Sequence, residues 1–177
     1  QLAPRQGDGR IGGETGGAFC RLPPLRLPAE TRARLGQVMP AAADCLDRYQ
    51  WPKHGSCSGL READYFAVST ALTERVNRAL GPEIARHMGR EVSLAVLREA
   101  LAKADPVLKD AVTFDCQTPR TPTPAKRRPM LREVRVTFER NPATGAPGRP
   151  LTYMRAGHTH YNSGCPGGKA YVDTPLD

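Results

Sequence analysis

Five cysteines, at positions 20, 45, 57, 116 and 165, constrain this 177-residue chain more than any other feature. None lies in a Cys-x-x-Cys pair, so their spacing argues against a zinc ribbon. Cysteines spread this way suit disulfides formed in an oxidising compartment. Connectivity does not follow from spacing alone. Hydrophobic residues make up 39% of the chain, enough for a modest core. The length fits a single domain over residues 1–177.

The charge balance narrows the partners. Twenty-six basic and 18 acidic residues leave a formal charge of +8. Such a surface attracts polyanions through counterion release and long-range steering, so nucleic acid is the expected partner class. No stretch approaches the ~20 apolar residues needed to cross a bilayer, and no membrane partner is expected. No signal peptide and no initiator methionine are visible, which reads as a processed form or a fragment. Without a coiled-coil pattern, a monomer is expected.

Residues 1–18 hold six glycines and no apolar period, and read as a loop. Residues 28–39 read as a helix, with Pro28 and Glu30 in its first turn, Thr31, Leu35, Val38 and Met39 on one face, and Pro40 ending it. Residues 64–80 form the clearest helix: Tyr65, Val68, Leu72, Val76 and Leu80 make a core stripe, and Gly81-Pro82 should stop it. A third helix spans 93–104, capped by Ser93, with Leu97, Leu101 and Ala104 inward. Strands are expected at 111–116 and 131–138, where Val134, Val136 and Phe138 alternate with Arg135 and Thr137. Between them, residues 118–129 read as an exposed loop whose Lys126, Arg127 and Arg128 suit an RNA contact. Residues 141–150 read as a Pro/Gly loop. Segregated helices and strands give an α+β class.

The run Tyr49-Gln50-Trp51-Pro52-Lys53-His54-Gly55-Ser56-Cys57 carries the most specific chemistry. A fixed cation beside an imidazole suits a phosphate that gains negative charge while a proton is shuttled. This run resembles the second active-site segment of the ribonuclease T2 family, His-Glu-Trp-x-Lys-His-Gly-Thr-Cys. Ser58-Gly59-Leu60, then Asp64-Tyr65-Phe66, extend the likeness. Val38-Met39-Pro40, Cys45-Leu46-Asp47-Arg48-Tyr49 and His160-Tyr161-Asn162-Ser163-Gly164-Cys165 are similar to the family's bacterial periplasmic branch. Phe114-Asp115-Cys116-Gln117 and Leu131-Arg132-Glu133-Val134-Arg135-Val136 resemble its late strands.

The resemblance implies an α+β fold with an antiparallel sheet packed with several helices. It implies a periplasmic or secreted endoribonuclease of broad base tolerance, with no metal and no cofactor. Single-stranded RNA would be cleaved by its own 2′-hydroxyl, through a 2′,3′-cyclic phosphate. His54 would be the acid/base on the 2′-hydroxyl side, and Lys53 would stabilise the phosphate. Gln50 stands where the family has glutamate; it keeps the size but carries no charge and cannot raise a neighbouring imidazole's pKa. Tyr49 stands where many members have a phosphate-binding histidine. Tyr49 and Trp51 are expected at the substrate, with Trp51 packing under the site rather than stacking on a base. The implied disulfides are Cys20–Cys57 and Cys116–Cys165, leaving Cys45 for a partner before Gln1. The family's first segment, His-Gly-Leu-Trp-Pro, is not in this sequence, and Gln1-Leu2 resembles the residues just after that segment.

Two other readings compete. A non-cleaving or truncated RNA-binding homologue fits Gln50 and the missing first histidine. A zinc-dependent hydrolase would use His158 and His160, which share one side if they lie on a strand. His87, in a polar stretch, reads as a surface residue.

Overall fold

Pro28, Pro40 and Pro52 each stand at the start of a short helical segment in the computed structural model of this chain. The described residues are 16–118, 128–150, 162–163 and 165–173. They fall into two units, Gln1–Glu74 with Arg140–Pro147, and Arg75–Glu139 with Gly148–Asp177. His158, His160, Lys126 and Arg127 lie outside the described residues.

The first unit is a chain of short helices. α1 (Gly16–Phe19) precedes α2 (Ala29–Val38), a 3₁₀ turn (Pro40–Asp44), α3 (Leu46–Gln50) and a π-helical turn (Trp51–Gly55). α4 (Glu62–Arg86) follows. Its first turns, with α2, build a core around Leu25, Leu35 and Phe66, ringed by half-buried Val38, Met39, Trp51 and Tyr65. The Arg34 guanidinium grips Glu74 through two hydrogen bonds, of 3.0 and 2.6 Å, tying α2 to α4.

Here the cysteines correct the expectation. Cys20 bonds Cys45, with Cα atoms 5.1 Å apart, and Cys57 is free and exposed. Three other ties hold residues 19–22 against α3 and bring Cys20 to Cys45 rather than Cys57. Phe19 stacks on Tyr49 at 4.7 Å, and Arg48 Nη1 donates to the carbonyls of Cys20 and Leu22 at 2.9 and 3.1 Å. Cys45 itself adopts φ 62°, the left-handed conformation that breaks the 3₁₀ turn from α3.

α4 also runs past its expected stop. Pro82 removes one helical hydrogen bond, but the helix continues to Arg86. Ile84 beyond it packs against the second unit's core, and packing outweighs local propensity. The buried line of α4 differs from the expected stripe as well. Phe66, Thr70 and Leu80 are fully buried, whereas Tyr65, Val68, Leu72 and Val76 are half-buried.

The second unit holds the sheet. β1 (Glu91–Ser93) leads into α5 (Leu94–Ala104), whose N-cap Ser93 accepts the Ala95 N–H at 3.3 Å, as the sequence implied. Leu94, Leu97 and Leu101 form its buried face, whereas Ala104, expected inward, is exposed at the helix end. After a short 3₁₀ turn (Pro106–Leu108) come β2 (Val112–Gln117), β3 (Met130–Val136) and a β4–β5 hairpin (Phe138–Arg140, Pro147–Pro150). β6 (Asn162–Ser163) and β7 (Lys169–Tyr171) complete a sheet of order β1-β7-β3-β2-β6.

The sheet is mixed, not purely antiparallel. β2 pairs antiparallel with β3, and β1 with β7, but β2–β6 and β3–β7 are parallel. The expected Cys116–Cys165 disulfide is present and accounts for one parallel pair. It anchors Cys165, two residues after β6, to β2, near the Phe114↔Asn162 pairing. Helices and strands are segregated along much of the chain, which is the α+β arrangement expected.

Two carboxylates in this unit titrate unusually. Asp105 takes a bidentate hydrogen bond from Arg75, with Nη2 at 2.9 Å from Oδ1. That bond above all holds its carboxyl below the ordinary range, against burial that pushes it up. Glu133 is pushed up by burial, but Arg135 and Arg132 outweigh this, and its carboxyl also lies low.

Candidate active site

The Lys-His pair rides on the π-helical turn Trp51–Gly55 of the first unit. The Ser56 N–H donates to the Trp51 carbonyl at 2.9 Å, five residues back, which closes the wide turn. Such turns are uncommon and concentrate at functional sites. Trp51 folds inward and meets Tyr65 edge to face at 5.7 Å. It therefore packs beneath the turn. Gly55 is buried directly against that ring. A Cβ there would sit 2.8 Å from Trp51 Cζ3 and 3.0 Å from Tyr65 Cδ1, so only glycine lets the turn close.

With Trp51 and Gly55 turned inward, Lys53 and His54 are exposed. Lys53 Nζ stands 4.9 Å from the centroid of the Tyr49 ring, which is itself stacked on Phe19. Tyr49 thus steers the lysine through the negative face of its ring. Among the described residues His54 has no hydrogen-bond or ion-pair partner. Gln50, one turn earlier, is half-buried and lines a small cavity with Met39, Tyr65 and Thr70. The structure therefore gathers Tyr49, Gln50, Trp51, Lys53 and His54 onto one short segment, with Lys53 and His54 outward and Trp51 inward.

Behind this segment the chain is buttressed. Ser58 Oγ donates to the Gly55 carbonyl at 2.6 Å and accepts the Leu60 N–H at 3.1 Å. Arg140 Nη1 donates to the Ser58 carbonyl at 3.1 Å. Gly145, at φ 72°, presses its backbone on the same loop; a Cβ would meet the Ser58 carbonyl oxygen. Nothing local in the sequence links residues 140–147 to the Lys-His turn, and the reading of that stretch as a Pro/Gly loop missed the role.

The remaining candidates fall elsewhere. Cys57 follows the turn as a free thiol, its Sγ 4.0 Å from Ser56 Oγ. His87 lies in the second unit, half-buried, its Nε2 3.1 Å from Glu83 Oε1. Arg128, the described member of the basic loop, places its guanidinium 5.4 Å from the Tyr171 ring centroid. No group of three or more His, Cys, Asp or Glu placed to hold a metal ion occurs among the described residues. No helix among them is long and apolar enough to cross a membrane.

No protein-family model matches the chain. Among curated proteins it is similar to Ribonuclease I of Escherichia coli (strain K12), 35% identical over 89 residues. That match covers 49% of this chain and 33% of the relative, so the chain spans about a third of the length of the protein it matches. The similarity supports a relationship to a ribonuclease.

Proposed function

We propose that this chain belongs to a ribonuclease of the T2 kind, a metal-independent endoribonuclease acting on single-stranded RNA. The observation that carries the reading is the Trp51–Gly55 turn, which turns its half-buried tryptophan inward and presents Lys53 and His54 side by side to solvent. The similarity to a ribonuclease and the net charge of +8 support an RNA substrate.

In the proposed reaction His54 takes the proton of the 2′-hydroxyl, which attacks the adjacent phosphorus. The 5′-oxygen leaves, taking a proton from solvent, and a 2′,3′-cyclic phosphate results. Lys53, steered by Tyr49, faces the non-bridging oxygens as they gain charge. Gln50 can offer hydrogen bonds where a carboxylate would supply charge. Two disulfides suit a protein working in an oxidising compartment, periplasmic or secreted.

The test is RNA cleavage in EDTA from pH 4 to 8, beside His54→Ala. Cyclic-phosphate products that fall ~10²–10⁴-fold in the variant support the reading. Gln50 favours a second reading, a homologue that binds RNA without cutting it. Salt-sensitive RNA binding with no cleavage at any pH would select that one.

A further inference from the structure

We propose that Arg140 is a positioning residue for His54, acting through Ser58, from which it stands 82 residues away in the sequence. The turn that carries Lys53 and His54 ends at Gly55, and no helix continues it. Carbonyls at the end of a helical segment need donors from outside it. The Ser56 hydroxyl serves the Pro52 carbonyl at 3.0 Å. The Gly55 carbonyl, one residue past His54, takes two donors from Ser58: its backbone N–H at 2.9 Å and its hydroxyl at 2.6 Å. Ser58 therefore sets where the turn ends.

Ser58 is in turn gripped by a distant segment. Its own carbonyl accepts Arg140 Nη1 at 3.1 Å. A guanidinium is a charged donor of fixed fork geometry, so this bond is stronger and better directed than a neutral one. The two backbones also fit each other. Gly145 is buried at φ 72°, and a Cβ there would lie 2.8 Å from the Gly59 carbonyl carbon and 3.0 Å from Gly59 Cα. Gly59 is left-handed as well, at φ 84°, and its Cβ would meet Arg140 Nη1 at 3.4 Å and Gly145 Cα at 3.5 Å. Left-handed glycines on both segments allow this close approach.

The segment that grips Ser58 is stiff. Asn141 Oδ1 accepts the N–H groups of Ala143 and Thr144 at 2.9 and 3.1 Å. The Asn141 N–H donates to the Ala146 carbonyl, and the Gly145 N–H to the Asn141 carbonyl, both at 2.8 Å. An asparagine folded back on its own backbone in this way fixes a turn, so Arg140 and Gly145 are presented by a closed loop. Arg140 itself is exposed, and one exposed hydrogen bond adds little to global stability. Its use is geometric: it holds Ser58, Ser58 holds the Gly55 carbonyl, and His54 is the residue before. The catalytic consequence rests on the ribonuclease reading; the contact itself does not.

Two measurements on the full chain test this. In RNA cleavage, Arg140→Met, which keeps the stem and removes the donors, should lower kcat about 3–10-fold at unchanged KM. Arg140→Lys, which can still donate to the carbonyl, should recover most of that loss. Unchanged kinetics in Arg140→Met overturn the proposal. A raised KM at unchanged kcat overturns it too, because Arg140 would then be touching RNA. In NMR spectra of the imidazole rings, Arg140→Met should shift the His54 signals and leave those of His87 in place, and Arg140→Lys should bring the His54 signals back. Unmoved His54 signals overturn the proposal. If the unaltered protein cleaves no RNA, the ribonuclease reading fails, and the imidazole signals still decide whether Arg140 positions His54.

Discussion

Among the described residues the second unit packs twelve buried side chains into one core, where the first packs three, Leu25, Leu35 and Phe66. The larger core rests on regular elements, with α5 laid along a five-stranded sheet. The smaller one supports an irregular path: a 3₁₀ turn, a left-handed cysteine and a π-helical turn in succession. That path is held by a disulfide, an aromatic stack, a cation over a ring and the carbonyl contacts of Arg48. Regular packing gives stability, and specific ties give a particular shape to a short segment. The candidate catalytic groups sit on the second kind of structure, as functional residues commonly do when a scaffold holds them.

The largest expected effect would break this contrast if it went the other way. Leu97→Ala, in the second core, should lower stability by about 2–5 kcal/mol in urea unfolding. Leu35→Ala should cost nearer the lower end of that range, because its half-buried neighbours can close on the space. Equal losses would mean that the two cores carry the fold alike.

A smaller effect sharpens the contrast at one residue. Gly55→Ala must displace the Trp51 ring and should cost about 1–3 kcal/mol. RNA cleavage should fall with it at temperatures where the variant is still folded, since the turn that presents Lys53 and His54 reopens. Gly36 is the control. A Cβ there meets nothing within 4 Å, so Gly36→Ala in the helix interior should stabilise by up to about 1 kcal/mol and leave cleavage unchanged.

The ion pair of Arg75 with Asp105 gives a pH test confined to the second unit. The folded carboxyl titrates below its unfolded value of about 3.9, so the pair's contribution is complete above that value and is lost as pH falls through the folded one. Being partly exposed, the pair should contribute no more than about 1 kcal/mol. Asp105→Asn should lower the urea midpoint at pH 7, and the gap should close towards pH 2. A gap that persists there would show that the asparagine disturbs packing instead.

What the sequence disclosed divides along the same line. α5 was legible to its cap, because Ser93 and the leucine spacing are local signals. The Lys-His run stood out as well, from its residue types alone. The Cys20 partner was not legible, because five cysteines allow many pairings and the ties selecting Cys45, from Phe19 and Arg48, act through space. The end of α4 was misread for a similar reason: Ile84 is held by a core that no window around Gly81-Pro82 contains. The parallel pairing of β6 depends on a disulfide spanning 49 residues.

The smallest effect separates two roles for Tyr49. The family resemblance puts it against the substrate phosphate, where its hydroxyl would matter. The geometry makes it a platform, with its ring 4.9 Å from Lys53 Nζ and its other contact the Phe19 stack. A cation over a ring at an exposed site contributes about 0.5–1 kcal/mol, or roughly 2–5-fold in kcat/KM if Lys53 must be aimed. Tyr49→Leu should show that loss, and Tyr49→Phe, which keeps the ring, should not. If Phe loses as much as Leu, the hydroxyl touches the phosphate. If neither loses anything, Lys53 needs no steering, and the stack of Phe19 on Tyr49 serves only to hold residues 19–22 in place.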